Sequence, residues 1–184
     1  QNIQFVGLAL QIQRKLLPFL RKKLRKRSNM QQLILRVYGL ILNDNGELLI
    51  TDEYQQSMRM TKFPGGGLEF GEGTLDCLIR EIKEEMDMEL TNVEHFYTTD
   101  FFQKALFYED AQLISVYYTA RLKNEKEFSY SSKSFDFQEE KNGAQSFRWV
   151  NPLNFSADNL TFPIDRVAFN KLQNQLLNNT SKAQ

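Results

Sequence analysis

The sequence predicts an α/β domain, and three observations carry that reading. Leu33 to Leu42 is dense in Leu, Ile, Val and Tyr, then meets the turn Asn43-Asp44-Asn45-Gly46 and a second apolar stretch, the pattern of a β-hairpin. Residues 73–86 repeat apolar side chains at helical spacing, and so does the chain from Pro163 onward. The 184 residues suffice for one domain with a substantial core.

Charge divides the chain before any element does. No Asp or Glu precedes Asp44, while residues 1–36 hold nine Lys and Arg. The overall balance of 23 basic and 23 acidic residues therefore hides a basic start and an acidic body. Residues 1–29 read as a basic amphipathic extension in which Leu16, Leu17, Phe19 and Leu20 precede Arg21, Lys22, Lys23, Arg25, Lys26 and Arg27. Charge following the apolar stretch is the wrong order for a secretory signal. A membrane-surface helix, a nucleic-acid patch, a helix packed on the body or on a partner chain, and an extension without a role are the open readings; no nucleic-acid or membrane partner is assigned. The remaining organisation is a domain over 30–178 and a polar tail over 179–184, with fraying expected from Asn178. One cysteine, Cys77, excludes an intramolecular disulfide and a cysteine-based zinc site, and a reducing cytoplasm is the expected compartment.

In chain order, strands are expected at Leu33–Leu42 and Glu47–Thr51, a polar loop at 52–58, and a short strand from Arg59 to Phe63. Further strands are expected at 93–101, 111–122 and Ser146–Val150, with a long polar stretch over 123–144. Phe101, Phe102, Phe107 and Tyr108 are expected to be mostly core, with one available as a stacking platform for a base. His95, the single histidine, is read as structural. In the last helix Ile164, Val167, Ala168, Leu172 and Leu176 should pack on the sheet.

The chemistry concentrates in residues 62–90. On a helix at about 100° per residue, Leu75, Ile79, Ile82 and Met86 share a face, and Glu81, Glu84 and Glu85 share another. Three like charges at this spacing cost about 0.2–0.5 kcal/mol per pair, and the helix C-terminus adds to the repulsion. Two readings follow: a solvated acidic face, or a site where oxygen ligands hold a hard Mg²⁺ or Mn²⁺ ion. Before the helix, Gly65, Gly66 and Gly67 allow close approach of the main chain to a ligand, and their amides could face a phosphate. Arg59 and Lys62 are placed either to meet substrate phosphates or to be solvated strand residues.

Gly66, Glu72 and Arg80-Glu81-Ile82-Lys83-Glu84-Glu85-Met86-Asp87-Met88 together resemble the Nudix box, G-x5-E-x7-R-E-U-x-E-E-x-G-U, where U is aliphatic. One fixed position departs, with Asp87 where the pattern has glycine. The preceding Phe63-Pro64-Gly65-Gly66-Gly67 and the ending Trp149-Val150-Asn151-Pro152-Leu153, then Phe162-Pro163-Ile164-Asp165-Arg166, are similar to the family as well. The resemblance implies the Nudix fold, a mixed β-sheet sandwiched between helices (α/β/α). It implies a Mg²⁺-dependent (or Mn²⁺-dependent) hydrolase that cleaves the pyrophosphate linkage of a nucleoside diphosphate derivative. Such a substrate is a nucleotide sugar such as ADP-ribose or a nucleoside triphosphate. The alternative is a non-catalytic Nudix-fold domain that binds nucleotides as a regulatory or interaction module.

Carried over by position, Glu84 and Glu85 are expected metal ligands and Glu81 a ligand or base-assisting carboxylate, with the Gly65 carbonyl as a further ligand. Arg80, lying off the carboxylate face, is expected to orient a box glutamate, Glu72 being its partner. Gly66, Gly67, Arg59 and Lys62 are the expected substrate contacts, and Glu139 or Glu140 the expected carboxylate from outside the box. The expected partner is a small-molecule nucleotide, with a homodimer as a second expectation. Asp87 is expected to alter the helix exit slightly while leaving metal binding intact.

Overall fold

The computed structural model describes residues 32–182. The basic extension at 1–29 and the last two residues of the tail lie outside the described residues. The described residues divide into two units, a larger one, 34–103 with 113–182, and a smaller one, 32–33 with 104–112. In the described part of the smaller unit the Gln32 amide donates to the Asp110 carbonyl, and the Ala105 amide to the Ala111 carbonyl, each at 2.9 Å.

The elements are β1 (Gln32–Ile41), β2 (Leu48–Gln55), β3 (Met58–Lys62), β4 (Gly65–Gly67), α1 (Thr74–Met86), β5 (Glu89–Thr98), β6 (Gln103–Lys104), β7 (Ala111–Lys123), β8 (Ala144–Val150) and α2 (Pro163–Lys182). One sheet runs β4-β1-β7-β5, with β6 paired to β7, and the other runs β3-β2-β8. The first hairpin closes as the turn chemistry requires: Asn43 Oδ1 accepts from the amides of Asn45 and Glu47, and Gly46 takes φ +76°.

Strand alternation splits the core into two. Tyr38 and Leu40 of β1 and Leu48 and Ile50 of β2 join Ile164, Ala168, Phe169 and Leu172 of α2. Val37, Ile41 and Leu49 point the other way and join Cys77, Leu78 and Ile82 of α1. Each Val, Leu, Ile or Phe among them contributes about 1.5–3 kcal/mol when fully buried. The helices therefore lie on opposite faces of the strands, the expected α/β/α arrangement.

Several expectations are corrected. Residues 52–58 are not a loop: β2 continues to Gln55 and turns through Gln56 and Ser57, both at positive φ, directly into β3. The polar strand residues find partners across the sheet. Asp52 is fully buried, ion-paired to Arg148 at 2.7 Å and bonded by the Thr61 hydroxyl at 2.6 Å. Strand β5 begins at Glu89 rather than 93, and the polar stretch after β7 contains a short 3-10 turn, Glu125–Glu127. Helix α2 runs through Asn178 to Lys182, with no Gly or Pro to stop it. Phe101, Phe102 and Tyr108 are exposed rather than core.

The most informative correction concerns α1. Its buried residues are Cys77, Leu78 and Ile82, while Leu75 and Ile79 are 42% and 47% exposed. The helix is turned so that its inner face is centred near Glu85, and Glu81 and Glu85 are half-buried toward the strands. Apolar spacing alone placed that face about a quarter-turn away. No helix among the described residues is long and apolar enough to cross a membrane.

Candidate active site

The glycine stretch is a strand, and its lack of side chains is a matter of space. Gly65, Gly66 and Gly67 pair with Tyr38, Val37 and Arg36. Gly65 sits at φ +125°, and a Cβ there would strike the Val37 carbonyl oxygen. A Cβ on Gly66 would run into the Glu81 carboxylate. The strand therefore passes flush against β1 on one side and against α1's acidic face on the other.

The Gly65 amide is already taken within the protein. The Gly65 N–H donates to Glu85 Oε2 at 3.2 Å, and the Gly65 carbonyl accepts from Lys62 Nζ at 3.0 Å. The Gly67 carbonyl accepts from Arg80 Nη2 at 3.1 Å and from the Cys77 thiol.

Arg80 is the hub. Its Nη2 and Nε grip the two oxygens of Glu72 at 2.7 and 3.0 Å, so the expected ion pair is present. Contrary to the expectation that it stays off the acidic face, its Nη1 also reaches Glu81 at 3.0 Å and Glu84 at 3.2 Å. A planar guanidinium with five N–H donors can serve three carboxylates and a carbonyl together. The hydrogen bonds from Arg80, assisted by the Glu69 amide, hold the Glu72 carboxyl down at about 2. The same contacts raise the arginine further above its already high range. Glu85 moves the other way: burial raises it, and Lys62 and the Gly65 amide only partly oppose this.

A cleft of about 200 Å³ opens beside Glu85, lined by Glu53, Tyr54, Gln55, Gly143, Ala144 and Gln145. Sequence reading missed Glu53 because it assigned that residue to a loop. The usable signal was the pair of opposite charges, Glu53 and Lys62, flanking the two-residue turn at Gln56-Ser57. In the structure Lys62 Nζ lies 2.8 Å from Glu53 Oε1, and Gln145 Nε2 donates to the same oxygen at 3.1 Å. Lys62, expected at substrate phosphates or in solvent, is instead buried with its ammonium committed to Glu53 and Gly65. Arg59 is exposed, ion-paired to Glu140 and stacked over Phe135. Glu139 pairs with Lys141 at 3.4 Å. Neither Glu139 nor Glu140 lines the cleft beside Glu85.

The donors suit a hard divalent cation. Glu53, Glu72, Glu81, Glu84 and Glu85 set five carboxylates against Arg80, Lys62 and Arg36. That leaves an excess of two negative charges and only oxygen ligands. The Glu81 carboxylate fills the space that a side chain on Gly66 would need. Among the described residues no three acidic, His or Cys groups gather around one point, since Glu81 and Glu84 turn toward Arg80.

At the helix exit Asp87 adopts φ 55°, ψ 29°, and its N–H bonds the Lys83 carbonyl at 3.0 Å. The left-handed cap that the pattern's glycine would make is formed by aspartate, so the altered exit expected from sequence does not arise.

Solved structures share this architecture. A NUDIX hydrolase from Nitrosomonas europaea aligns with a TM-score of 0.57 at 14% identity, covering 78% of this chain and 90% of its own. The E. coli ORF135 protein aligns at 0.54 and 19%, covering 77% and 89%. A MutT NUDIX hydrolase from Burkholderia pseudomallei aligns at 0.50 and 19%, covering 76% and 98%. No curated protein matches the chain. The NUDIX domain model matches residues 33–169, a span that holds the glycine strand, the Arg80 hub and both core-facing helix starts, and the chain belongs to the NUDIX domain family.

Proposed function

We propose that this chain hydrolyses the pyrophosphate linkage of a nucleoside diphosphate derivative, a nucleotide sugar such as ADP-ribose or a nucleoside triphosphate. The reaction depends on Mg²⁺ or Mn²⁺, takes a small-molecule nucleotide as its partner, and proceeds in the cytoplasm. The observation that supports this most is the Arg80-centred set of carboxylates packed against a strand of three glycines.

Glu81, Glu84 and Glu85 are the residues that would hold the ion. When bound, it supplies Lewis acidity and positive charge to the phosphate oxygens on which phosphoryl transfer depends. The chain's own residues do the rest. Arg80 fixes Glu72 and holds Glu81 and Glu84 in one place, which spares the site the entropy of ordering them during the reaction. The Gly65 N–H fixes Glu85 at the edge of the cleft. Burial raises the proton affinity of Glu85, and the positive charge of a bound ion would oppose that rise and keep the carboxylate ionised. The Gly65 carbonyl, a ligand by resemblance, is bonded here to Lys62.

A Mg²⁺ assay over a panel of nucleotide diphosphate derivatives, reading phosphate with and without added phosphatase, tests the reading. It separates pyrophosphate release from exposure of a terminal monophosphate. Glu85→Gln should abolish turnover with an unchanged circular dichroism spectrum; undiminished turnover refutes the assignment.

A further inference from the structure

Lys62 is a charged side chain only 5% exposed, in the middle of an acidic centre. Its ammonium lies 2.8 Å from Glu53 Oε1 and 3.0 Å from the Gly65 carbonyl oxygen, and 5.6 Å above the Tyr38 ring. The residue it grips by the carbonyl, Gly65, is the one whose N–H holds Glu85. Glu53 in turn is steadied by Gln145, and both line the cleft with Glu85. A carbonyl oxygen and a carboxylate oxygen turned toward one point are donors of the kind a hard cation takes from a protein. Here the cation at that point is part of the chain.

We propose that the Lys62 ammonium is a tethered cation of this centre. It fills the place on the Gly65 carbonyl and Glu53 that a divalent ion would otherwise occupy. The inference rests on the metal-dependent reading above. An ammonium on a four-carbon stem cannot leave when a product departs or when chelator is present, so Gly65 and Glu85 stay positioned in the empty enzyme. The number of exchangeable divalent ions is thereby reduced, and exchange is confined to the side of the centre that carries Glu81 and Glu84. Glu53, on this account, is a positioning residue that serves Lys62 rather than a ligand of an exchangeable ion.

The test counts Mn²⁺ bound per chain by electron paramagnetic resonance, without nucleotide, in four proteins whose folding is checked by circular dichroism. Lys62→Met removes the resident charge and should bind about one more Mn²⁺ than wild type. The double variant Glu53→Gln, Lys62→Met should return to the wild-type number, because the added ion needs Glu53. Glu53→Gln alone should keep the wild-type number, with affinity lowered by about 10–100-fold at most. An unchanged or smaller count in Lys62→Met overturns the proposal, as does loss of an ion in Glu53→Gln. If Lys62→Met does not fold, the Glu53→Gln count decides by itself. Wild-type protein that binds no Mn²⁺ sinks the metal-dependent reading and this proposal with it. Wild type that binds Mn²⁺ while Lys62→Met gains none sinks this proposal alone.

Discussion

Replacing Asp165 with asparagine should change how stability depends on pH, and the size of the change follows from where the side chain sits. Asp165 is fully buried in the first turn of α2. Its Oδ1 accepts from the Tyr117 hydroxyl at 2.7 Å, while Oδ2 has no partner among the described residues. Burial pushes its carboxyl up to about 6, against smaller opposing effects of the Tyr117 bond, Lys62 and Arg36. In an unfolded chain an aspartate titrates near about 3.9. The folded chain therefore binds this proton more tightly. Its contribution to stability is fully present below about pH 4, declines as the pH rises toward 6, and is gone above that. At about 1.4 kcal/mol per pH unit, the loss comes to about 3 kcal/mol. In Asp165→Asn the Tyr117 hydroxyl keeps an acceptor, but the new amide donor lies where Oδ2 had no partner, a pH-independent cost of about 1–3 kcal/mol. Urea denaturation followed through Trp149, the single tryptophan, gives both stabilities from pH 4 to 8. The wild-type advantage should shrink by about 3 kcal/mol between pH 4 and pH 7. Subtracting the two curves cancels the other titrating groups. A difference that stays flat over that range would refute the reasoning.

Gly66→Ala should lower turnover by about a hundredfold or more, because the new methyl meets the Glu81 carboxylate, while the melting temperature moves little. Arg80→Lys replaces a fork by a point charge and should cost about 10–100-fold in activity. The same variant should let Glu72 titrate back up from about 2 toward the ordinary glutamate range, readable by carbonyl NMR. The stabilising effect of an ionised Glu72 should then disappear at a higher pH on acidification than in wild type. Asp52→Asn breaks a buried ion pair with Arg148 and removes an acceptor of the Phe135 amide; it should cost about 3–5 kcal/mol in urea denaturation and speed proteolysis of the 128–143 segment. Asp87→Gly should stabilise by about 0.5–1 kcal/mol in thermal melts, through relief of a left-handed aspartate, with Mg²⁺ affinity unchanged in calorimetry.

What could be read from sequence was whatever depended on neighbours in the chain. The Asn43–Gly46 turn and the extent of α1 follow from local spacing, and the Arg80–Glu72 pair follows from the resemblance of the box to its family. What could not be read depended on partners distant in sequence. Asp52 and Glu53 look like loop residues until Arg148 and Lys62 are seen beside them. The facing of α1 was misjudged for a related reason. A wheel weighs Leu75 and Ile79 as core by their chemistry, whereas the strands turn Glu81 and Glu85 inward and leave those two partly in water. An acidic face drawn into the protein is unfavourable on stability grounds alone, so patterning arguments fail where the chemistry is expected to reside. Lys62 is open to two readings in the sequence, a phosphate contact or a solvated strand residue, because nothing near it in the chain reveals Glu53 across the hairpin.

The left-handed aspartate at position 87 changes what the family's glycine means. A sequence pattern that asks for glycine after the paired glutamates is asking for a backbone angle, and the residue is only its usual carrier. Here Lys83 supplies a counter-charge to the side chain that glycine would lack, and the bend survives. A search that scores this position by identity would count a defect, whereas one that scores the attainable angle would count a match.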